Sequence, residues 1–293
     1  MERKEENTIL VTGGAGFIGS HLCERLASDK NNKVISLDNY FTGSKENHVS
    51  GVDYREGHTK DVQQHIPEQV DIIYHLGEYA RVEQSFEDIE TVWDFNKNGT
   101  FSILEFCRKV GAKIIYAGSS TKFGDGGLGR SQSPYAWTKA SNTELVCNYG
   151  NWFNVPYSIV YFYNVYGPRE IKIGKYATLI ALFGEKIKNN EPLTVVAPGV
   201  QKRNFTHVED IVDGLVLVGE NGSGDEFGIG HPDAYSIIDI AKMFGDNIVM
   251  LPERKGNRMV ADVYTKKTEE LGWKPRHDIR EYIKNIRDRI KKQ

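Results

Sequence analysis

The chain has 293 residues, enough for one large α/β unit or for two lobes that share a core. Its formal net charge of −3 gives no reason to expect nucleic acid as a partner. A charged start and the lack of apolar runs of membrane-spanning length predict a cytoplasmic protein without a membrane segment. Three cysteines without a CxxC spacing predict reduced, buried thiols and no metal site.

The stretch Thr8 to Ser20, TILVTGGAGFIGS, has the pattern of a strand, a glycine turn and a helix. A pyrophosphate bound to the N-terminal amides of a helix needs a backbone closer than a Cβ allows. Glycines meet that need, so we predict a dinucleotide site, with a structural turn as the alternative. The residues assigned to it are Gly13, Gly16, Phe17, Ile18 and Gly19.

The next apolar segment, Lys33 to Asp38, ends in an acid about 20 residues beyond Gly19. A carboxylate there accepts hydrogen bonds from ribose hydroxyls and repels the additional phosphate of NADP. Asp38 therefore predicts NAD as the cofactor, and a turn-forming aspartate is the alternative.

Short apolar segments then alternate with segments of helix length, including the predicted helix Thr91 to Val110. The predicted strands are Val52 to Glu56, Val70 to Leu76, Lys113 to Ser119 and Tyr157 to Phe162. This alternation predicts an α/β fold with a doubly wound parallel sheet of the Rossmann type. Ligands bind beyond the carboxyl ends of such strands, where Gly14, Asp38, Gly77 and Ser119 fall.

Beyond residue 165 the pattern loosens. We predict an NAD-binding domain over 1–165 and a smaller, discontinuous C-terminal substrate lobe over 166–293. Residues 205–230 are expected to return to the first domain, because VEDIVDGLVLV reads as one more core helix, capped by Glu209 or Asp210.

Tyr135 and Lys139 in SPYAWTKASNTEL are four residues apart, so on a helix they share one face. A tyrosine that takes a proton near neutral pH needs its pKa lowered by about 3 units, or roughly 4 kcal/mol. A neighbouring ammonium and the positive ring of an oxidised nicotinamide favour the phenolate in that way. The preceding strand KIIYAGSS places Ser119 where it can hold the reacting oxygen.

These motifs together resemble the extended short-chain dehydrogenase/reductase family, in the branch of NAD-dependent nucleotide-sugar epimerases and dehydratases. The resemblance covers nearly the whole chain. It is carried by TGGAGFIG, DNYFTGS, HLG, NKNGT, the two serines of AGSS, YAWTK, YNVYGPR, RNFTHVEDIV and KGNRMVADVYTKKTEELGWKP.

The resemblance implies roles for individual residues. Ser119, Tyr135 and Lys139 match the catalytic Ser/Thr, Tyr and Lys. Besides the glycine turn, the implied cofactor-binding residues are Asp38, Asn39, Ser44, Leu76, Gly77, Asn96, Tyr135 and Lys139. The implied substrate-binding residues are Glu78, Arg81, Ser120, Thr121, Asn164, Arg203, Arg254 and Arg258; exposed salt bridges are the alternative for the arginines near the diphosphate.

The chemistry that the resemblance implies is hydride removal to NAD, usually from C4 of the sugar, while the tyrosine takes the hydroxyl proton. Family 4,6-dehydratases have an acid pair directly after the catalytic Ser/Thr, and those positions are Ser120 and Thr121 here. Hydroxyl groups cannot serve as the acid and base of the elimination, so dehydration is disfavoured. A net 4-dehydrogenase or 4-epimerase is expected, with a 4,6-dehydratase as the alternative.

Several departures from the family pattern fall around the expected pocket. Glu78 and Arg81 replace small residues, Lys122 replaces an apolar one, and His58 stands where an acid commonly contacts adenine. Arg81 and Lys122 together would bind an acidic sugar or a small carboxylate that re-oxidises the cofactor; a Glu78–Arg81 charge pair is the alternative. Dehydrogenases of GDP-linked heptoses in bacterial capsule pathways belong to this branch.

Apolar residues recur at helical spacing in Thr91 to Val110 and in Tyr135 to Tyr149. In relatives the corresponding helices form a four-helix dimer interface, so we expect a homodimer; core packing is the alternative. A non-catalytic NAD-binding sensor on the same fold is the rival to the enzyme, and the intact Ser119, Tyr135 and Lys139 argue against it.

Overall fold

The computed structural model describes residues 7–253 and 263–292. Its strands are β1 (Asn7–Thr12), β2 (Asn32–Asp38), β3 (Val52–Glu56), β4 (Ile72–His75), β5 (Lys113–Ser119), β6 (Tyr157–Phe162), β7 (Val165–Tyr166), β8 (Leu193–Val196), β9 (Lys202–Asn204), β10 (Thr206–His207), β11 (Gly224–Ile229), β12 (Ala234–Ser236) and β13 (Ile248–Leu251). Its α-helices are α1 (Phe17–Ala27), α2 (Val62–His65), α3 (Ile89–Val92), α4 (Gly99–Val110), α5 (Pro134–Phe153), α6 (Leu179–Lys188), α7 (Val208–Asn221), α8 (Ile237–Phe244), α9 (Lys266–Glu270) and α10 (Ile279–Ile290).

Within the described residues, seven strands form one sheet in the order β11–β6–β5–β4–β1–β2–β3. Every neighbouring pair in this sheet is parallel. The predicted doubly wound parallel sheet is therefore confirmed. Three of its strands, β3, β5 and β6, have the bounds that the sequence predicts.

Both faces of the sheet are covered, because alternate residues of a strand point to opposite sides. On β5, Ile114 and Tyr116 pack in a core that also contains Ile103 of α4, whereas Ile115 packs in a second core. That second core contains Leu215 of α7, and β11, which follows α7, is an edge strand of the main sheet. The assignment of residues 205–230 to the first domain remains a prediction.

A third core lies in the C-terminal part of the chain, where α6, α8 and α10 pack around β8. Phe183, Val195, Ile240 and Ile283 are almost completely buried there. The smaller C-terminal lobe therefore has its own apolar core. The proposed boundary at residue 165 remains a prediction.

The start of α7 differs from the prediction that Glu209 or Asp210 caps it. His207 is the cap, and its Nδ1 accepts a hydrogen bond from N of Glu209 at 3.3 Å. Asp210 is buried instead and accepts hydrogen bonds from the amides of Arg276 and His277, both at 3.1 Å. Its carboxylate therefore ties the C-terminal segment to the main sheet.

Candidate active site

A cavity of about 730 Å³ lies at the carboxyl ends of the main-sheet strands, between the glycine turn and the smaller lobe. This is where ligands bind in doubly wound sheets. The predicted residues that line it are Gly13, Gly16, Phe17, Ile18, Gly19, Asp38, Asn39, Leu76, Gly77, Glu78, Arg81, Ser120, Thr121, Tyr135, Lys139, Asn164 and Arg203. One cavity thus brings together most of the candidate cofactor, catalytic and substrate residues.

Three of the other predicted residues, Ser44, Asn96 and Ser119, do not line this cavity. The amide of Ser44 donates to O of Ala15 at 3.0 Å, so Ser44 contacts the backbone of the glycine turn. Arg254 and Arg258 lie outside the described residues. Their proposed contacts with the diphosphate remain predictions.

The glycine turn fits a dinucleotide pyrophosphate. A Cβ on Gly19 would overlap the carbonyl oxygen of Gly13, so the turn closes only with glycine at this position. Gly13 has φ +72°, which favours glycine as well. No side chain caps the N-terminus of α1, whose first residues line the cavity. Its free amides are therefore available to an anion.

Asp38 is held rigidly at the end of β2. Its Oδ2 accepts a hydrogen bond from N of Ala15 at 2.9 Å, and its Oδ1 accepts one from N of Tyr40 at 2.8 Å. Burial raises the pKa of Asp38, and these two hydrogen bonds oppose the rise. A carboxylate fixed next to the glycine turn matches the position needed to bind the adenosine ribose of NAD.

Asn96 is buried in a π-helical segment, Trp93–Asn98, that joins α3 to α4. Its Oδ1 accepts from N of Tyr79 at 2.7 Å, and its Nδ2 donates to Oγ1 of Thr138 at 3.0 Å. Asn96 thus connects the loop after β4 to α5. The prediction that it binds the cofactor directly is corrected, since both ends of its amide are used inside the protein.

Tyr135 and Lys139 lie one turn apart near the start of α5, and both line the cavity. Ser133 begins this helix by accepting a hydrogen bond from N of Ala136 at 3.1 Å. Ser119, at the end of β5, is just behind the wall, where its Oγ lies 2.9 Å from Oγ1 of Thr121. Two of the three family positions, Tyr135 and Lys139, therefore line the cavity, and Ser119 does not.

Glu78 lines the cavity, but its carboxylate is engaged within the protein. Its side chain is 2% exposed and forms an ion pair with Lys139, whose side chain is 6% exposed. The carboxylate also accepts hydrogen bonds from Thr100 Oγ1 at 2.7 Å and Asn142 Nδ2 at 3.0 Å. The predicted substrate role of Glu78 and the alternative Glu78–Arg81 pair are both corrected by this arrangement.

Arg81 and Lys122 do not form the predicted anion-binding pair. Nζ of Lys122 lies 2.8 Å from Oδ2 of Asp225 on the edge strand β11, and Lys122 does not line the cavity. Arg81 does line it. Only one cation of the predicted pair is therefore directed at the ligand space.

Sequence reasoning missed a chain of hydrogen bonds that leads to Glu78, the partner of Lys139. Oγ1 of Thr12 lies 2.8 Å from Nδ1 of His75, and Nε2 of His75 lies 3.0 Å from Oγ1 of Thr100. Thr100 in turn donates to Glu78. Only His75 carried a signal, as part of the HLG motif; nothing in the sequence pairs Thr100 with a residue on another element.

His75 makes the stability of the protein depend on pH. Burial lowers the pKa of His75 to about 4, below the value of about 6.5 in an unfolded chain. Between these values the unfolded state binds more protons, so stability falls on acidification, by about 2 kcal/mol from pH 7 to pH 5. His75→Asn, which cannot titrate, is expected to lose about 2 kcal/mol less over this interval than wild type in urea unfolding. Equal losses in the two proteins would contradict this.

In the part of the chain that the structure describes, no helix is both long and apolar enough to cross a membrane.

Known proteins share this sequence pattern. A model of the NAD dependent epimerase/dehydratase family matches residues 9–230. UDP-glucuronic acid decarboxylase 2 of Arabidopsis thaliana is 33% identical over 96% of this chain and 68% of its own. A putative UDP-glucose 4-epimerase of Methanocaldococcus jannaschii is 32% identical over 95% of this chain and 96% of its own.

Solved structures share the fold over nearly the whole chain. UDP-glucose 4-epimerase of Thermotoga maritima, with UDP-glucose, superposes with a TM-score of 0.88 at 27% identity, over 97% of this chain and 99% of its own. The Thermus thermophilus enzyme of that name, in complex with NAD, gives 0.85 at 26% identity over the same shares. The chain therefore belongs to the NAD dependent epimerase/dehydratase family, among the extended short-chain dehydrogenases/reductases, and is an enzyme with NAD as its cofactor.

Proposed function

We propose that this protein oxidises C4 of a nucleotide-activated sugar, as a net 4-dehydrogenase or 4-epimerase that keeps its NAD tightly bound. NAD, when bound, supplies the hydride acceptor. The observation that carries the proposal is a single cavity in which Tyr135 and Lys139 face the same space as the glycine turn. This arrangement supports a redox reaction on a ligand that fills the rest of the cavity.

The side chains then have separate tasks. Tyr135 takes the proton of the C4 hydroxyl, which places negative charge on the sugar oxygen as the C–H bond weakens. Ser119, through its contact with Thr121, orients the hydroxyls at the end of β5 towards that oxygen. Ser119 and Lys139 are buried, and burial strengthens the electrostatic contacts that they make.

Two residues from different parts of the chain suit a nucleoside diphosphate. Asn164, which follows β6 and has φ +29°, and Arg203 on β9 both line the cavity. An arginine that faces a cavity suits a diphosphate, because its guanidinium binds two oxygens at once. The named relatives and neighbours carry UDP-sugars in their names, which supports this substrate class.

A 4,6-dehydratase is the alternative reaction. Ser120 and Thr121 both line the cavity at the positions where dehydratases have their acid pair. Neither side chain titrates near neutral pH, so neither supplies the proton or the base of an elimination across C5 and C6. C4 chemistry without water loss is the better-supported outcome.

The decisive experiment identifies the cofactor released on denaturation and then offers the enzyme UDP-, GDP-, dTDP- and CDP-sugars, GDP-heptoses included. Product masses separate the outcomes. An unchanged mass with a new stereoisomer supports an epimerase, and loss of two hydrogens supports a dehydrogenase. Loss of water would overturn the assignment of Ser120 and Thr121, and NAD binding without turnover of any sugar would favour the sensor. We further propose a cytoplasmic role in making bacterial surface-polysaccharide sugars.

We also propose a homodimer formed through α4, α5 and the π-helical segment before α4. Trp93 of that segment and Trp137 of α5 stack with ring centroids 5.8 Å apart, yet 49% and 42% of their surfaces are exposed. Phe101 of α4 is 52% exposed. An exposed aromatic face on two adjacent helices is typical of an interface between subunits.

Phe101→Glu is expected to turn the dimer into a monomer in sedimentation velocity, because a charge would be buried without a partner. Val249→Glu is the matched control. Val249 is also apolar and 44% exposed, but it lies on β13 in the smaller lobe. A wild-type protein that sediments as a monomer at assay concentrations would dispose of the proposed dimer.

A further inference from the structure

The residue after the HLG motif is a buried carboxylate directly against the catalytic lysine. Four donors converge on Glu78: Lys139, Thr100 Oγ1, Asn142 Nδ2 and Tyr116 OH, the last at 3.2 Å. They come from α4, α5 and β5, which are separate elements of the fold. Glu78 is therefore held in place by several elements of the fold.

The direction of the hydrogen bonds shows that Glu78 is ionised. Oγ1 of Thr12 accepts from N of Gly77 at 2.9 Å, so its proton is free to go to Nδ1 of His75. Nε2 of His75 then donates to Thr100, and Thr100 donates to Glu78. Every bond in this chain points towards a carboxylate that only accepts. Burial by itself raises the pKa of Glu78, but the charges of Lys139 and His75 and the hydrogen bonds from Lys139 and Thr100 together keep the pKa below its ordinary value.

The charge of Lys139 is consequently matched within the protein. Besides Glu78, its ammonium donates to O of Ala117 and lies 4.8 Å from the ring centre of Tyr116. An ammonium has three protons, so one remains for a ligand. A lysine paired with a carboxylate, however, acts as a dipole, and the field of a dipole falls off faster with distance than that of a single cation.

Arg81 differs from Lys139 in the groups that it contacts. It is largely buried and lines the cavity, and its guanidinium donates to O of Tyr176 at 2.6 and 3.1 Å and to O of Ala80 at 2.9 Å. Within the described residues, no carboxylate lies within 4.0 Å of it. Arg81 and Tyr135 both line this cavity.

We propose that Glu78 is a positioning residue that holds Lys139 in a neutral ion pair, and that Arg81 supplies the positive charge that activates Tyr135. The two residues after HLG that depart from the family pattern thus act together. Glu78 neutralises the charge of Lys139, and Arg81 provides a cation on the side of the cavity. Tyr135 as the proton acceptor belongs to the proposed function, on which this inference rests.

Other titratable groups face Glu78 and Arg81, and an experiment has to distinguish their effects from those of these two residues. Lys139, His75, Tyr116 and Lys97 surround Glu78. Tyr79, Tyr176 and Glu170 surround Arg81, and burial raises the pKa of Glu170 to about 7. Glu170→Gln therefore serves as a control, because it removes the titrating neighbour and keeps Arg81.

The test measures the ionisation of Tyr135 without any sugar substrate. The protein is labelled with tyrosine carrying ¹³C at Cζ, saturated with NAD⁺, and titrated by NMR; Tyr135→Phe identifies the resonance among the 15 tyrosines. Arg81→Met is expected to raise the pH midpoint of this resonance by about one unit, and Arg81→Lys to restore most of the shift. Glu78→Gln is expected to lower the midpoint by about one unit, since Lys139 is left uncompensated.

The double variant Glu78→Gln/Lys139→Met replaces the ion pair by two neutral groups. We expect its midpoint within about half a unit of wild type, a smaller change than that of Arg81→Met. A double variant that raises the midpoint as much as Arg81→Met, or an Arg81→Met protein with an unchanged midpoint, would overturn the inference. If Glu78→Gln does not fold, Arg81→Met against Glu170→Gln still decides whether Arg81 is the activating cation. These titrations contain no sugar, so their outcome does not depend on whether a sugar substrate is found.

Discussion

Tyr135→Phe is expected to lower the rate of sugar oxidation by about 10²–10⁴-fold while the NAD content of the purified protein stays unchanged. The phenol is the proton acceptor in the proposed reaction, and phenylalanine keeps the ring but removes the oxygen. Tyr135 lines the cavity near the start of α5, where Ser133 caps the helix, so the ring position is retained. The rate is followed by the reduction of bound NAD in a single turnover.

Tyr235→Phe is the matched control. Tyr235 lies on β12 in the smaller lobe and does not line the cavity, so loss of its hydroxyl is expected to leave the rate within about twofold of wild type. A Tyr135→Phe protein that oxidises the sugar within about tenfold of the wild-type rate would exclude the tyrosine as the proton acceptor.

Gly16→Ala and Gly19→Ala are both expected to weaken NAD binding by 100-fold or more, about 2.7 kcal/mol, but for different reasons. A methyl group on Gly16 meets only O of Gly13, at 3.2 Å, and otherwise points into the space for the pyrophosphate. The fold is therefore kept while the ligand is excluded. A methyl group on Gly19 overlaps the carbonyl of Gly13, so the turn itself has to move and the NAD-free protein also loses stability.

Calorimetric titration with NAD and thermal unfolding of the NAD-free protein separate the two effects. Gly245→Ala is the control, because no atom lies within 4 Å of a Cβ there and φ is 168°, an extended backbone. It is expected to change neither quantity. Unweakened NAD binding in Gly16→Ala would show that the pyrophosphate does not lie on this turn.

Local sequence signals predicted the main sheet well. The strands β3, β5 and β6 have their predicted bounds. In β5 and β6 the signal is a mostly apolar run that is buried on both faces, whereas β3 is a partly exposed edge strand with the sequence VDYRE. The predicted helix Thr91 to Val110 was less accurate: it is divided by the π-helical segment around Asn96. Asn96 in this segment is hydrogen-bonded to the loop after β4 and to α5, and helical periodicity carries no trace of those contacts.

The candidate site was predicted in part. Motif spacing placed Tyr135, Lys139 and Asp38 in one cavity, as the structure does. The same reasoning treated Glu78 as a substrate contact and Lys122 as an anion-binding cation. Each has a partner at a sequence separation that no spacing rule covers: Lys139 lies 61 residues after Glu78, and Asp225 lies 103 residues after Lys122.

By itself, the sequence determined the family, the NAD cofactor and the parallel sheet, because these depend on short segments whose residues interact locally. A glycine turn works through its own backbone, and a tyrosine and a lysine one turn apart share a helix face wherever the helix lies. Only the tertiary structure decided how the charges around them are paired. Folding brings Glu78 and Lys139 into contact and leaves Arg81 on the cavity wall, and an ion pair buried away from water is set by three-dimensional distance alone.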